Sequence, residues 1–398
     1  MLGLKRELWL LFALNLAVGF SSQFIQPLFP LYLESLNASE VEIGLVLSLA
    51  SIVSMSLMIP SGLLMNRIGK KKLLLLSVFL SFFPPLFIAA TNDWRTATPF
   101  YVVFNASFSF FIVARMAMIS ESATPDNRAT LFGIMNMAWP IGGIVAPVLS
   151  GFIVENYGWT PTFQIASVIM AISFIPTLKL KEAAPPKVVY QESPERASIL
   201  ERRYLPFMTL IFLFHFIMGV VEGLIGAVLP LFLKNQIRIS ESLIGLFFTI
   251  SSIMILFIQI PSGRMADTYG RKKVLVMSLL PIPIALGLWI FVDNWLILLL
   301  LYTAVNGFRS MTWPSSLALL SDHVPSELLG SALGIRMTSM RLGSTFGPLV
   351  GGYLYSQVNY SSPFLASAIL VAVSIMVGLS FKDDRVRKSV KDTQTINQ

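Results

Sequence analysis

The chain has 398 residues, 55% of them hydrophobic and 13% charged, with a mean hydropathy of +0.73 and a formal net charge of +8. Such a composition lies outside the range of soluble globular domains and points to a membrane protein. It contains no cysteine, which excludes disulfides, thiolate metal sites and cysteine nucleophiles.

Apolar runs recur along the whole chain, each long enough for the roughly 20 residues that cross a bilayer core as a helix. Twelve are predicted, at about 8–33, 42–66, 73–91, 97–120, 129–154, 160–179, 205–233, 243–265, 274–292, 295–320, 329–355 and 361–381. Runs such as LLLLYTAVNGF and LFFTISSIMILFIQI do not alternate in polarity, so helices are expected rather than the strands of a membrane barrel. The first run continues into PLFPLYL, is too long for a cleavable signal peptide, and reads as a helix that stays.

Lysine and arginine gather in alternate connections: Lys5 and Arg6, Arg67 to Lys72, Arg128, the linker at 179–203, Arg264 to Lys273, and the tail from Lys382. Arg95, Lys234 and Arg238 fall on the other side. Positive connections stay cytoplasmic, which predicts a multi-pass plasma-membrane protein with both termini inside. This bias accounts for the net charge without a nucleic-acid partner.

The sequence IPSGLLMNRIGKKKLLL at residues 59–75 returns as IPSGRMADTYGRKKVLV at 260–276, an offset of 201. The same offset pairs Gly44 with Gly245, Pro60 with Pro261, Glu121 with Asp322, Gly133 with Gly334, Pro147 with Pro348, and Gly151 with Gly352. Chance likeness of apolar sequence does not align glycines, prolines and loop charges over successive helices. A duplicated six-helix unit is therefore expected: an N-terminal bundle at 1–180, a cytoplasmic linker at 181–203, a C-terminal bundle at 204–382 and a tail at 383–398. An even number of helices per unit makes the repeat parallel, and two such halves around a central cavity suit alternating access.

The repeated loop gives the chain its resemblance. It resembles the twelve-helix members of the major facilitator superfamily, particularly drug/proton antiporter-like ones, whose loops carry G-x-x-x-D-R-x-G-R-K/R. Here the motif reads Gly62, Asn66, Arg67, Gly69, Lys70, Lys71 and again Gly263, Asp267, Thr268, Gly270, Arg271, Lys272. Asn66 stands where the family has an acid, and Thr268 where it has an arginine. The resemblance implies an all-α membrane fold of two six-helix bundles and a cytoplasmic latch, in which Glu121 meets Arg67 or Lys70 and Asp322 meets Arg271 when that side closes. Asp267 is expected near the N-terminus of the eleventh helix, where the helix dipole favours an anion. The motif glycines are expected to allow close helix approach and a tight turn.

Two glycine-rich helices follow. GSTFGPLVGG at 343–352 carries in the eleventh helix the G-x-x-x-G-P-x-x-G-G pattern that the family's exchangers place in the fifth; the fifth has GGIVAPVLSG, with Ala146 and Ser150 in place of glycines. Gly142, Pro147, Gly343, Gly347, Pro348 and Gly351 are read as packing positions, chiefly between the halves. The pattern leans towards an exporter, although RMAMISES after position 114 lacks the glycines of the antiporters' fourth helix.

Ionisable residues inside helices are functional candidates because they are expensive there. They are Arg115, His215, Glu222, Arg309, Arg336 and Arg341. Glu222 is expected to be the one carboxylate of the apolar interior and the proton-coupling site, with His215 seven residues earlier on a similar face; a static pair with Arg309 or Arg341 is the alternative. Arg115 and Arg336 are expected near the cytoplasmic end, with room to snorkel. The resemblance makes the first, fourth, seventh and tenth helices line the cavity, which favours Arg115, Glu222 and Arg309; by polarity, depth or aromatic character Asn15, Gln23 and Gln26 of the first helix, Arg341 and Trp313 are read as cavity residues with them. The surplus of cations keeps an organic-anion symporter or exchanger open beside a proton-coupled exporter. Metal-binding, cofactor and catalytic signatures are not found, nor is G-x-x-x-x-G-K-S/T, which argues against an enzyme or an ATP-driven pump. The expected partners are a small-molecule solute, protons and the lipid bilayer, with the chain a monomer; a receptor without transport is the outside alternative.

Overall fold

In a computed structural model, residues 6–122, 128–181, 203–325 and 328–381 are described, and their regular structure is helical throughout. The expected placements of Lys5, the body of the linker (182–202) and the tail from Lys382 lie outside the described residues, as does the side chain of Arg128.

Twelve helical segments follow in chain order, agreeing with the predicted runs. The first half has α1 (Arg6–Ser35), α2 (Glu40–Ser56 continuing as Met58–Ile68), α3 (Lys70–Ile88), α4 (Trp94–Ser122), α5 (Arg128–Tyr157) and α6 (Trp159–Lys179). The second has α7 (Leu205–Asn235), α8 (Glu241–Tyr269), α9 (Arg271–Phe291), α10 (Trp295–His323), α11 (Leu329–Gln357) and α12 (Ser362–Leu379). Among the described residues, nine helices are long and apolar enough to cross a membrane, and α2 makes a tenth if its two bent pieces count as one span. α10 and α11 are not in that set.

Proline shapes the interruptions. α1 breaks at residues 26–28, between Ile25 and Phe29, where Pro27 and Pro30 lack the amide hydrogens a continuous helix needs. α2 bends by 42° around Leu57, three residues before Pro60, and the Ser61 hydroxyl donates to the Leu57 carbonyl. α9 breaks at Leu280, before Pro281, and ends in a 3₁₀ turn at Trp289–Phe291. Side chains cap two of the starts. Ser39 and Glu42 form a reciprocal capping box on α2, and Asn294 accepts from Leu296 and Ile297 at α10.

The repeated basic loops turn on Gly69 (φ 92°) and Gly270 (φ 99°), a region that residues with a Cβ avoid. These two glycines make the tight turn read from the motif. Gly62 and Gly263 do not make the close approach expected of them: a Cβ at either would meet nothing within 4 Å.

The chain divides into two compact units. The first lies within Met1–Val189 and takes in Gly226–Ile253 and Pro348–Tyr360. Its apolar core includes Leu11, Leu14, Leu73, Phe111 and Met135, each at most 2% exposed. The second lies within Tyr190–Ile225, Met254–Gly347 and Ser361–Gln398. The units thus cut across the six-helix repeat: the C-terminal end of α7, the N-terminal part of α8 and the C-terminal end of α11 belong with the first half.

The backbone contacts inside the first unit explain this. Gly44 of α2 lies on Pro348 of α11, and Gly245 of α8 on Pro147 of α5. Gly352 of α11 meets Glu40 of α2, and Gly151 of α5 meets Glu241 of α8. Each contact has its counterpart 201 residues away. Side chains add to it: Ser48 accepts from the Leu349 amide at 3.1 Å, Glu155 accepts from the Ser242 amide at 3.2 Å, and Asn235 donates to Glu34 at 2.5 Å.

A candidate solute site in the second unit

α7, α8, α10 and α11 enclose a cavity of about 190 Å³ within the second unit. Helical spacing arranges its polar groups on two rungs. On α7, His215 and Glu222 are seven residues, or two turns, apart; on α10, Arg309 and Trp313 are one turn apart. Glu222 and Arg309 form the first rung, His215 and Trp313 the second, and Arg336 of α11 reaches into the second.

On the first rung, Arg309 Nη1 lies 3.3 Å from Glu222 Oε2, and Arg309 Nη2 donates to Asn306 Oδ1 at 3.2 Å. Asn306 in turn donates to the Tyr302 carbonyl at 3.0 Å. The Glu222 side chain is 43% exposed, so it is not the carboxylate enclosed by apolar helices that the sequence suggested. It opens onto the cavity, and its cation is beside it. Arg341 does not line this cavity but lies within electrostatic reach of Glu222.

On the second rung, Arg336 Nε donates to His215 Nε2 at 2.9 Å, while His215 Nδ1 lies 2.9 Å from the Ile211 carbonyl. An Nε2 that accepts and an Nδ1 that donates require a neutral imidazole with its proton on Nδ1. The Arg336 guanidinium sits 3.9 Å from the centre of the Trp313 ring. Arg336 is only 2% exposed. The expected snorkel to the cytoplasm is therefore absent, and His215 is engaged with Arg336 rather than with Glu222.

Arg336 is the residue that sequence reading undervalued. Its signal lay in spacing: Arg336, Met340, Gly343 and Gly347 recur at intervals of four, three and four, one face of a helix. That face packs on α7. A Cβ at Gly347 would lie 2.7 Å from Gly223 Cα, one at Gly343 2.7 Å from the Val220 amide, and Gly219 touches Met340. The glycines seat α11 against α7 and so bring Arg336 to His215. Gly142 packs likewise within its half, against Phe20 of α1 at 2.9 Å, while Pro147 and Pro348 make the contacts between halves; Gly351 is buried.

The remaining candidates lie in the first unit. Asn15 is buried and donates to the Met135 carbonyl, joining α1 to α5. Gln26 reaches Asn105 at 3.5 Å, and Gln23 lies beside Gly143. Arg115 is buried, does not snorkel, and bonds through Nη2 to Asn136 at 2.5 Å. The motif acids have cations: Lys70 pairs with Glu121, and Arg271 with Asp322. Arg271 also lies 3.8 Å from Asp267, while Asn66 and Arg67 are exposed. Each ion pair joins two helices of one half, so neither spans the halves directly.

The geometry has relatives. The chain is 23% identical over 389 residues to Multidrug resistance protein 2 of Bacillus subtilis, covering 96% of each chain. It is 24% identical over 384 residues to the Multi-drug resistance efflux pump PmrA homolog of Lactococcus lactis, covering 94% of each. Its fold is similar to that of a D-xylose-proton symporter, with a TM-score of 0.76, 15% identity, and 94% and 97% of the two chains covered. The family model of the Major Facilitator Superfamily matches twice, at residues 11–221 and 211–397, once for each copy of the repeat. With both repeats matched, this multi-pass membrane protein belongs to the Major Facilitator Superfamily.

Proposed function

We propose that this transporter is a proton-coupled exporter of small organic solutes in the plasma membrane, working by alternating access with both termini cytoplasmic. The observation that carries the reading is the Glu222–Arg309 pair at 3.3 Å, open to the cavity. A carboxylate that can exchange its arginine for a proton has two states of different charge, and a moving half can favour one on each side of the membrane. Export is favoured by the multidrug resistance names of relatives matched over nearly the whole chain. The lysine and arginine bias supports the orientation, and the motif pairs Lys70–Glu121 and Arg271–Asp322 stiffen each half at the cytoplasmic loops.

The test is reconstitution into vesicles with a trapped pH-sensitive dye and an imposed pH gradient, with pools of organic solutes screened for solute-dependent proton movement. Wild-type protein is expected to move protons with at least one pool, and Glu222→Gln to move none. Solute flux without proton movement in the wild type overturns the coupling. Proton movement that survives Glu222→Gln overturns the role of this carboxylate.

A further inference from the structure

The two rungs differ in charge. Glu222 has Arg309, but among the described residues no carboxylate pairs with Arg336. Its Nε is spent on a neutral imidazole, its π face lies on Trp313, and neither terminal nitrogen donates to a described residue. At 2% exposure in a membrane interior this is an expensive arrangement, since a buried cation costs several kcal/mol, by order of magnitude, unless an anion accompanies it. The helix does not let it escape: although Arg336 is only seven residues, about two turns, inside the start of α11 at Leu329, the glycine face of α11 holds it beside α7.

We propose that the cavity of the second unit takes a small aromatic anion, its carboxylate or equivalent group on the Arg336 guanidinium and its ring among Phe214, Met218, Ile255, Trp313 and Met340. A guanidinium presents two parallel N–H groups to a carboxylate; of the two guanidinium groups lining this cavity, Arg309 already has Glu222 and Asn306 on its terminal nitrogens. His215 orients Arg336 from behind: its Nε2 holds Nε, leaving the terminal nitrogens to the ligand. The apolar residues named above give the ring its surface, and Trp313 offers an aromatic face. At about 190 Å³ the cavity is smaller than the roughly 300 to 1,000 Å³ of drug-sized sites, which favours a one- or two-ring molecule. Lipophilic cations are disfavoured by the same charges, because Glu222 is already matched by Arg309 and Arg341 stands near it.

This inference rests on the transport reading only in taking the cavity as a solute site, and its test is binding rather than flux. Radiolabelled 1-naphthoate is titrated onto the full-length protein in nanodiscs, beside the neutral isostere 1-naphthamide and the cation tetraphenylphosphonium. The carboxylate is expected to bind about tenfold or more tightly than the amide, and the cation not to compete with it. Arg336→Gln is expected to erase that preference, and Arg336→Lys to restore part of it. The comparison between ligands uses the wild-type protein alone, so it stands even if a variant fails to fold. Equal binding of carboxylate and amide, absence of carboxylate binding, or an unchanged preference in a folded Arg336→Gln overturns the proposal. Naphthoate binding without proton-coupled flux of any pool sinks the functional reading and leaves this one standing; coupled flux of other solutes without naphthoate binding does the reverse.

Discussion

Gly44 and Pro348 touch backbone to backbone, with an added Cβ at Gly44 lying 3.1 Å from the neighbouring Leu349 Cα. Their repeat mates Gly245 and Pro147 make the same contact, 2.9 Å from Val148 Cα. In each case a glycine from one half receives the proline turn of the other, so both halves contribute one donor and one acceptor surface to the same joint.

Gly44→Leu and Gly245→Leu are therefore expected to wedge this joint open. The protein has no native cysteine, so a single Ser242→Cys beside Gly151 reports on it directly. Labelling with a membrane-impermeant maleimide is expected to quicken several-fold in either leucine variant. Unchanged rates would mean that the contact is incidental to opening.

Gly347→Leu addresses packing inside one half. The added side chain would collide with Gly223 and with the Val220 carbonyl at 2.5 Å, and both are backbone. Overpacking of this kind costs about 1 to 3 kcal/mol, read as a lower Tm in detergent. The same change is expected to move Arg336 away from His215, so aromatic-anion binding should fall more than thermal stability alone explains.

The motif pairs should be modest. Lys70–Glu121 and Arg271–Asp322 are partly exposed, with acid side chains 27% and 32% exposed, and pairs of this kind contribute roughly 0 to 1 kcal/mol. Charge reversal at Glu121 is expected to lower stability slightly and shift the balance of inward and outward states. The exchange of Lys70→Glu with Glu121→Lys should recover most of both effects, measured by Tm and by maleimide accessibility.

Glu222 and Arg309 should be coupled. Glu222→Gln and Arg309→Gln each leave one charge without its partner, whereas the double variant removes both. A double-mutant cycle on Tm is expected to show non-additivity of about 0.5 to 3 kcal/mol. Additive effects would mean that the 3.3 Å pair is not maintained in the membrane.

The sequence made the spans and the repeat legible because both are written in composition and spacing. The twelve runs, the turn glycines Gly69 and Gly270, and the pairing of Glu121 and Asp322 with loop cations follow from such patterns. The depth and direction of single side chains do not. Arg336 lies close enough to the start of α11 to suggest a snorkel, and only the glycine face seven and eleven residues later turns it inward. Asn15 reads as a cavity group by polarity alone, yet its amide is occupied by the Met135 carbonyl. Glu222 reads as enclosed because every neighbour in sequence is apolar, but the opening beside it is formed by three other helices.

The first unit also imposes an order on biogenesis. It holds α1 to α6 but is complete only with Gly226–Ile253 and Pro348–Tyr360. A nascent chain paused after α6 therefore has its N-terminal bundle inserted but its glycine seats, Gly151 among them, still vacant. Gly151 is met once Glu241 of α8 is made, but Gly44 waits for Pro348 of α11, so quality control has a late checkpoint: truncation before Pro348 leaves α2 with an unoccupied groove in the lipid. Chains shortened there are expected to be more readily degraded than ones that lose only residues beyond α12.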